Sequence, residues 1–338
     1  MHTHSQKRRS LALTIAFILT FSLLLAACGH PSGNTPDVNG TNNQHPSENV
    51  SENHVAPSTN NRTFTDALGH SVTIPANPKR IIAPYLEDHL LSLGIQPAAQ
   101  WTVANGKQEY LQSAGLEGIP TINYDLPLEE VLSFEPDLIL IGSEGLVDKG
   151  KYEQYSKIAP TFVLGDKLTQ DWRKTLLKIG ELLNREEQAK HVLAEYDAKV
   201  AETKEKIGPI LDGKKVAVLW LIQKSFYTVS PQVASGAVLY GDLGLQPPAL
   251  VTEIGEYAQA SWNPVSLEKL AELDADYIFL VNSNSPGNKE MLEAPVWQHL
   301  PAVKENRVYE ISSDSSWLYS GAIAGQQVMD DLVRLLNQ

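Results

Sequence analysis

Cysteine occurs once in this 338-residue chain, as Cys28. A single thiol excludes intramolecular disulfides and any zinc or iron–sulfur site built on cysteine, so the fold must be held by core burial. Arginine is scarce as well: after residue 9 only Arg62, Arg80, Arg173, Arg185, Arg307 and Arg334 occur. Acidic residues outnumber basic ones by 40 to 27, and a net charge of −13 argues against nucleic acid as a partner. No GxSxG, HExxH or P-loop segment is present, which removes common signatures of hydrolytic and nucleotide chemistry. The nine histidines include no recognisable ligand pair. His70, His89, His191 and His299 would meet only through tertiary structure, and His45 and His54 lie in a polar stretch where a solvated ring is the ordinary reading. Neither an enzyme nor a protein that ligates a metal itself is expected.

The amino terminus does carry an export pattern. "QKRRS" precedes 17 mostly apolar residues, "LALTIAFILTFSLLLAA", which run into "LLAACG". A transmembrane anchor would want about 20 apolar residues, and Thr14, Thr20 and Ser22 interrupt this run. The alanines before Cys28 resemble a bacterial lipobox, in which the cysteine is lipidated and begins the mature chain. Residues 1–27 are then a signal peptide, and the expected location is the extracytoplasmic face of a cell membrane. Loss of Lys7, Arg8 and Arg9 takes the net charge from −13 to −16. Residues 28–61, rich in Asn, Ser, Pro, Gly and Thr, cannot bury a core and read as a disordered tether.

The rest of the chain contains a duplication. "LEEVLSFEPDLILI", from Leu128 to Ile141, returns 139 residues later as "LEKLAELDADYIFL", from Leu267 to Leu280. Leu128/Leu267, Glu129/Glu268, Asp137/Asp276 and Ile139/Ile278 are identical, and "LGIQPAA" from Leu93 is echoed by "LGLQPPA" from Leu243. Each long copy reads as a short amphipathic helix followed by an unbroken apolar run, the pattern of a parallel strand buried on both faces. Further strand candidates at 80–83, 98–103, 161–164, 215–222 and 307–311 alternate with helical segments. The expected class is α/β, with two Rossmann-like lobes of mainly parallel sheet spanning 62–167 and 209–338. In the intervening helical segment, 168–208, Ala189, Val192, Leu193, Tyr196 and Val200 recur at helical spacing. They predict a rigid rod from about Glu186 to Ile207, roughly 33 Å long at 1.5 Å per residue. Two similar sheets facing one another would bring their strand carboxyl ends to one cleft.

Residues just past those ends are the candidate ligand contacts: Tyr85, Trp101, Lys107, Ser143, Glu144 and Asn282. Trp317 and Tyr319 in "SSDSSWLYSG", and Trp262 in "ASWNPVS", add rings among small polar residues, which suit a large ligand with apolar and polar faces.

The order and spacing of "VTIPANPKRII", "LLSLGIQP", "LEEVLSFEPDLIL", "YSKIAPT", "WRKTLLKIGELL", "VSLEKLAELDADYIFL", "PVWQHLPAVKENRVYEI" and "WLYSG" resemble one family, from about Phe64 onward. It is that of the substrate-binding lipoproteins of ABC importers for ferric siderophores and vitamin B12, with two lobes on a helical backbone. The resemblance implies a monomeric receptor that holds iron only through the siderophore, needs no cofactor and delivers its ligand to permease subunits. In ferric-hydroxamate binders a tryptophan before the second repeat helix and a Trp-x-Tyr segment contact the ligand, and Trp262, Trp317 and Tyr319 occupy matching places. The amino-terminal lobe departs from that pattern: "INYDLP" lacks the arginine, and Ser143, Glu144 and Gly145 replace the tyrosine. Scarce arginine favours a hydroxamate or mixed hydroxamate–carboxylate siderophore over a strongly anionic catecholate, although Lys107, Lys149, Lys151, Lys224 and Lys289 are available. The resemblance also implies that Glu129 and Glu268 dock on permease arginines; the plainer reading is a helix-dipole contribution of about 0.3–1 kcal/mol. Two alternatives stay open: a cobalamin or haem receptor, for which Tyr85, Tyr227 or Tyr319 would serve as axial ligand, and an extracellular enzyme on two α/β lobes.

Overall fold

The computed structural model describes residues 60–337, apart from 104–105 and 258–259. The signal segment, Cys28 and the tether as far as residue 59 lie outside the described residues.

A hairpin opens the first lobe, with β1 (Arg62–Thr65) antiparallel to β2 (Ser71–Ile74). Asp66 closes its turn, one carboxylate oxygen accepting from the amides of Leu68 at 3.0 Å and His70 at 2.8 Å. The remaining strands are β3 (Ile81–Ile82), β4 (Gln100–Val103), β5 (Gly106–Lys107), β6 (Thr121–Asn123), β7 (Leu138–Ile141) and β8 (Thr161–Val163). β3, β7 and β8 are parallel neighbours, and β4 pairs parallel with β6 and antiparallel with β5. An Ala98 N–H to Ile81 carbonyl bond of 2.8 Å sets β3 beside the start of β4. The second lobe is one sheet in the order β11 (Trp262–Val265), β10 (Ser225–Val229), β9 (Val216–Ile222), β12 (Tyr277–Asn282), β13 (Val308–Ser312). Its β9, β12 and β13 are parallel, while β10 runs against both neighbours.

The helices that matter for the site are α1 (Glu87–Ser92), α2 (Leu128–Ser133), α3 (Trp172–Leu182), α4 (Glu186–Leu211), α5 (Leu267–Leu270) and α6 (Ala322–Leu336). The duplicated sequence becomes α2 leading to β7 and α5 leading to β12. Its identical aspartates do the same work in both lobes. Asp137 accepts from the amides of Lys79 at 2.7 Å and Arg80 at 2.9 Å, where β3 begins, and Asp276 accepts from the amide of Lys215 at 2.8 Å, where β9 begins. Each satisfies main-chain donors that the start of a buried strand would otherwise leave unpaired.

α4 is the expected rod, about 39 Å long at 1.5 Å per residue. It continues past Ile207 to Leu211, with Pro209 inside its last turn. Ala189, Val192, Tyr196, Thr203 and Ile207 form its buried stripe. Tyr196 packs on Trp172 with ring centroids 4.7 Å apart and donates to Asp242 at 2.8 Å. Arg173 joins the same knot, 3.1 Å from Asp242 and 2.8 Å from Asp197. Gly325 of α6 lies against the Tyr196 ring, leaving no room for a β-carbon. One apolar core therefore runs from Val72 and Leu140 through Leu176, Ile179 and Tyr196 to Val216, Phe279 and Leu332. Continuous packing of that kind resists relative motion of the lobes.

Candidate ligand-binding cleft

A cavity of about 750 Å³ opens where the loops after β3, β7 and β8 face the second lobe. The first lobe contributes Tyr85, Trp101, Tyr124 and Trp172, and the second contributes small side chains, Val233, Ala234, Ser261 and Ser320, beside Leu318. Tyr85 has φ +62, a left-handed conformation uncommon for a bulky side chain, and is 51% exposed. Its ring meets Trp101 edge-on at 5.1 Å and Tyr319 at 6.0 Å, and Tyr319 stacks on Tyr110 at 5.0 Å. Aromatics of both lobes thus meet at the rim.

Next to the cavity, at the start of α1, three consecutive ionisable side chains are buried, of which only His89 lines it. Glu87 accepts from the Trp101 amide at 2.7 Å, and burial pushes its carboxyl up to about 7. Asp88 crosses to the other lobe. Its oxygens accept from the amides of Ile323 at 3.1 Å and Ala324 at 2.9 Å, in the first turn of α6, and from the Tyr110 hydroxyl at 3.2 Å. Burial outweighs those donors and holds its pKa at about 6. Asp88 thereby caps a helix whose own N-cap is Gly321, and Gly321, at φ +151, leaves no space for a β-carbon against the Asp88 carboxylate. That contact gives "WLYSG" its glycine. His89 is buried on the cavity wall, and desolvation lowers its pKa to about 4.

The structure redistributes the sequence candidates. Tyr85, Trp101 and Ser143 line the cavity, and Tyr319 supports its rim between the lining residues Leu318 and Ser320. Glu144 is exposed and outside the lining, although Ser143 and Gly145 on either side belong to it. Lys107 faces away, its ammonium 3.0 Å from Gln112 and 3.9 Å from Glu109. Two expectations are corrected. Trp317 has no exposed surface: its ring stacks on Phe279 at 5.1 Å and its indole N–H donates to Asp331 at 3.0 Å, so it belongs to the core. Asn282 is buried too, donating to Glu310 at 2.7 Å and accepting from Asn288 at 2.9 Å, which fixes the loop after β12. Trp262 and Tyr227 do not line the cavity. They form a half-buried patch with Trp220 of β9, each 5.7 Å from its ring, and Trp262 directly follows the lining residue Ser261. Tyr124, Trp172 and His89 line the cavity but went unnoticed as contacts, because nothing local in the sequence marks them.

Among the described residues no Lys or Arg lines the cavity. Among them, too, no group of three or more His, Cys, Asp or Glu is placed to hold a metal ion.

Residues 88–315 match the family described as periplasmic binding protein. The iron(3+)-hydroxamate-binding protein FhuD of Bacillus subtilis (strain 168) is 30% identical over 315 residues, covering 91% of each chain. The iron(3+)-hydroxamate-binding protein YxeB of the same organism is 29% identical over 293 residues, 83% of this chain and 87% of that protein. The crystal structure of Staphylococcus aureus SirA complexed with staphyloferrin B superimposes with a TM-score of 0.69 at 26% identity, covering 82% of this chain and 98% of that one. The two-lobed α/β fold is thus shared with that structure, and the chain belongs to the periplasmic binding protein family of non-enzymatic, substrate-binding transport components.

Proposed function

We propose that this protein captures a ferric siderophore of hydroxamate or mixed hydroxamate–carboxylate type in the cavity and delivers it to an ABC permease for iron uptake. The observation that carries the class is the lining: several aromatic rings, small polar groups and, among the described residues, no Lys or Arg. A tris-catecholate ferric complex is strongly anionic and would lose its hydration against such a wall without charge-assisted hydrogen bonds in return. A hydroxamate complex carries little net charge and presents hydrocarbon that rings cover well. The iron stays inside its chelate, and the protein supplies no ligand to it. Lipidation of Cys28 would hold the receptor at the extracytoplasmic face of the membrane, with the tether giving it reach. Among the described residues no helix is long and apolar enough to cross a membrane.

Delivery needs a surface matched to a two-fold permease, and the duplication offers one. Glu129 and Glu268 are exposed, and no side chain among the described residues forms an ion pair with either. Their neighbours are engaged at home: Glu130 accepts from Asn123, and Lys269 pairs with Glu253 and Glu272. Beside each carboxylate an apolar side chain stands in solvent, Leu128 at 40% and Leu267 at 44% exposure. A single chain thus presents two equivalent contacts. In iron-limited cells lacking the chromosomal copy, the unaltered protein should restore uptake of a ferric trihydroxamate. The double variant Glu129→Gln, Glu268→Gln should restore less than about a tenth of it while binding the ligand normally, as expected for two lost ion pairs at a buried interface. Failure of the unaltered protein would overturn the transport reading, and full uptake by the double variant would overturn docking alone.

A further inference from the structure

Glu87 is wholly buried behind the aromatic rim and is not itself part of the cavity lining. One carboxylate oxygen accepts from the Trp101 amide at 2.7 Å, and the amides of Glu87 itself and of Tyr85 also stabilise the charge. Asp88 beside it adds charge of the same sign, and burial pushes the carboxyl up to about 7. A buried carboxyl of this kind costs stability, and such costs are kept where the group holds something else in place. What Glu87 holds is the main chain of two residues whose rings line the cavity and meet edge-on at 5.1 Å. Tyr85 stands at φ +62, where a bulky side chain stays only if its surroundings fix it. Its amide, in the loop after β3, and that of Trp101, in β4, both serve one carboxylate.

We propose that Glu87 is a positioning residue of the ligand site, a clamp that holds Tyr85 in its left-handed conformation with Trp101 against it, so that both rings are set before the ligand arrives. The proposal rests on the reading of the cavity as the siderophore site and adds what keeps its rim in order. Rings already in place cost the ligand no ordering on arrival. Without the carboxylate the Trp101 amide turns to water and Tyr85 leaves the left-handed region. Binding must then reimpose both, and apparent affinity falls by the fraction of molecules still in the competent arrangement. An apolar side chain of similar size fills the space but supplies no acceptor, whereas glutamine keeps one acceptor oxygen at the same reach.

The test uses the full folded chain with ferrioxamine B, a linear trihydroxamate, as the probe, each variant being checked by thermal unfolding. Glu87→Leu should lower affinity about tenfold, as for a competent fraction of roughly one in ten, and Glu87→Gln should recover most of that loss. In a Tyr85→Ala background the loss caused by Glu87→Leu should shrink below about threefold, because a clamp that acts through the ring has little left to position. A merely structural role would cost the same in both backgrounds. In the unaltered protein, hydrogen exchange of the Trp101 amide should slow about tenfold on saturation with the diamagnetic gallium complex of the same ligand, since coupling between clamp and ligand is reciprocal. That readout does not depend on any variant's folding. Four results would each overturn the proposal and leave Glu87 a core residue: affinity of Glu87→Leu within about twofold of the unaltered protein, no recovery in Glu87→Gln, a loss of about threefold or more carried into Tyr85→Ala, or an unmoved Trp101 exchange rate. If the unaltered protein does not bind the probe, the siderophore reading itself fails, which is a separate outcome.

Discussion

Replacing Asp88 by alanine is expected to destabilise the folded protein by roughly 3 kcal/mol, the sum of a lost helix cap at about 0.5–2 kcal/mol and a buried hydroxyl left without its acceptor at about 1–3 kcal/mol. The groups concerned are the amides of Ile323 and Ala324 in the first turn of α6 and the hydroxyl of Tyr110. Gly321 cannot replace the cap, since it has no side chain and its backbone lies against the same carboxylate. Thermal unfolding should shift downward on the order of 10 °C at about 2–4 °C per kcal/mol. Asp88→Asn should fall in between, because its amide retains one acceptor but sets a donor against a backbone N–H. An unchanged midpoint in the alanine variant would show that the lobes do not depend on this cap.

The same cluster gives a pH dependence of definite sign. Glu87 and Asp88 ionise at about 7 and about 6 in the fold, against 4.5 and 3.8 for the free side chains. Over that window the folded chain holds protons that the unfolded chain has shed, so their contribution to stability is full at low pH and declines as pH rises from about 4 to about 7. His89 acts oppositely. Its pKa is about 4 in the fold and 6.5 free, so its contribution is full above 6.5 and is lost as pH falls. Two carboxyls against one imidazole leave a net decline with rising pH, and above pH 6 Glu87 carries most of it. Glu87→Gln should therefore become more stable relative to the parent as pH rises toward 7.

Trp317→Ala is the second large effect, with an expected loss of about 3–5 kcal/mol in denaturant unfolding, the usual cost of emptying a buried tryptophan site. The ring fills the space beside Phe279, and its removal takes one donor from Asp331, which keeps its ion pair with Arg334. Ligand affinity of the fraction that remains folded should change little. Tyr319→Ala should show the reverse, near-normal stability with weakened binding, because its half-buried ring faces Tyr85 across the rim. Normal stability together with lost affinity in Trp317→Ala would return that residue to the ligand site.

These two neighbours mark where sequence reasoning succeeds and where it stops. A Trp-x-Tyr segment among serines reads as exposed, but the partner that buries Trp317 lies 14 residues further on, in α6. The rod, the repeated strands and the two-lobe class were legible because apolar periodicity is a local property, recorded at 3.6 residues along α4 and as unbroken runs in β7 and β12. The identity of Asp137 and Asp276 was visible too, though not its cause, since the amides they hold belong to strands about 60 residues earlier. β10 and β11 escaped notice for a chemical reason. The hairpin from β9 to β10 turns on Gln223 and Lys224, both at positive φ where Asn-Gly is the usual signal, and β11 contains Pro264, which suits only an edge strand. The floor of the cleft was least legible, because His89 and Trp172 face one space only after α1 and α3 have packed.

The central claim is that the cleft takes a ferric hydroxamate in preference to an anionic catecholate. Trp101 lines the cavity and Trp172 borders it, so tryptophan fluorescence of the purified protein should report binding directly. Titration with ferrioxamine B should give saturable quenching with a Kd of roughly 1 μM or tighter, and a ferric tris-catecholate should bind at least about tenfold more weakly. Tighter binding of the catecholate, or no saturable response to any ferric hydroxamate, would contradict the account.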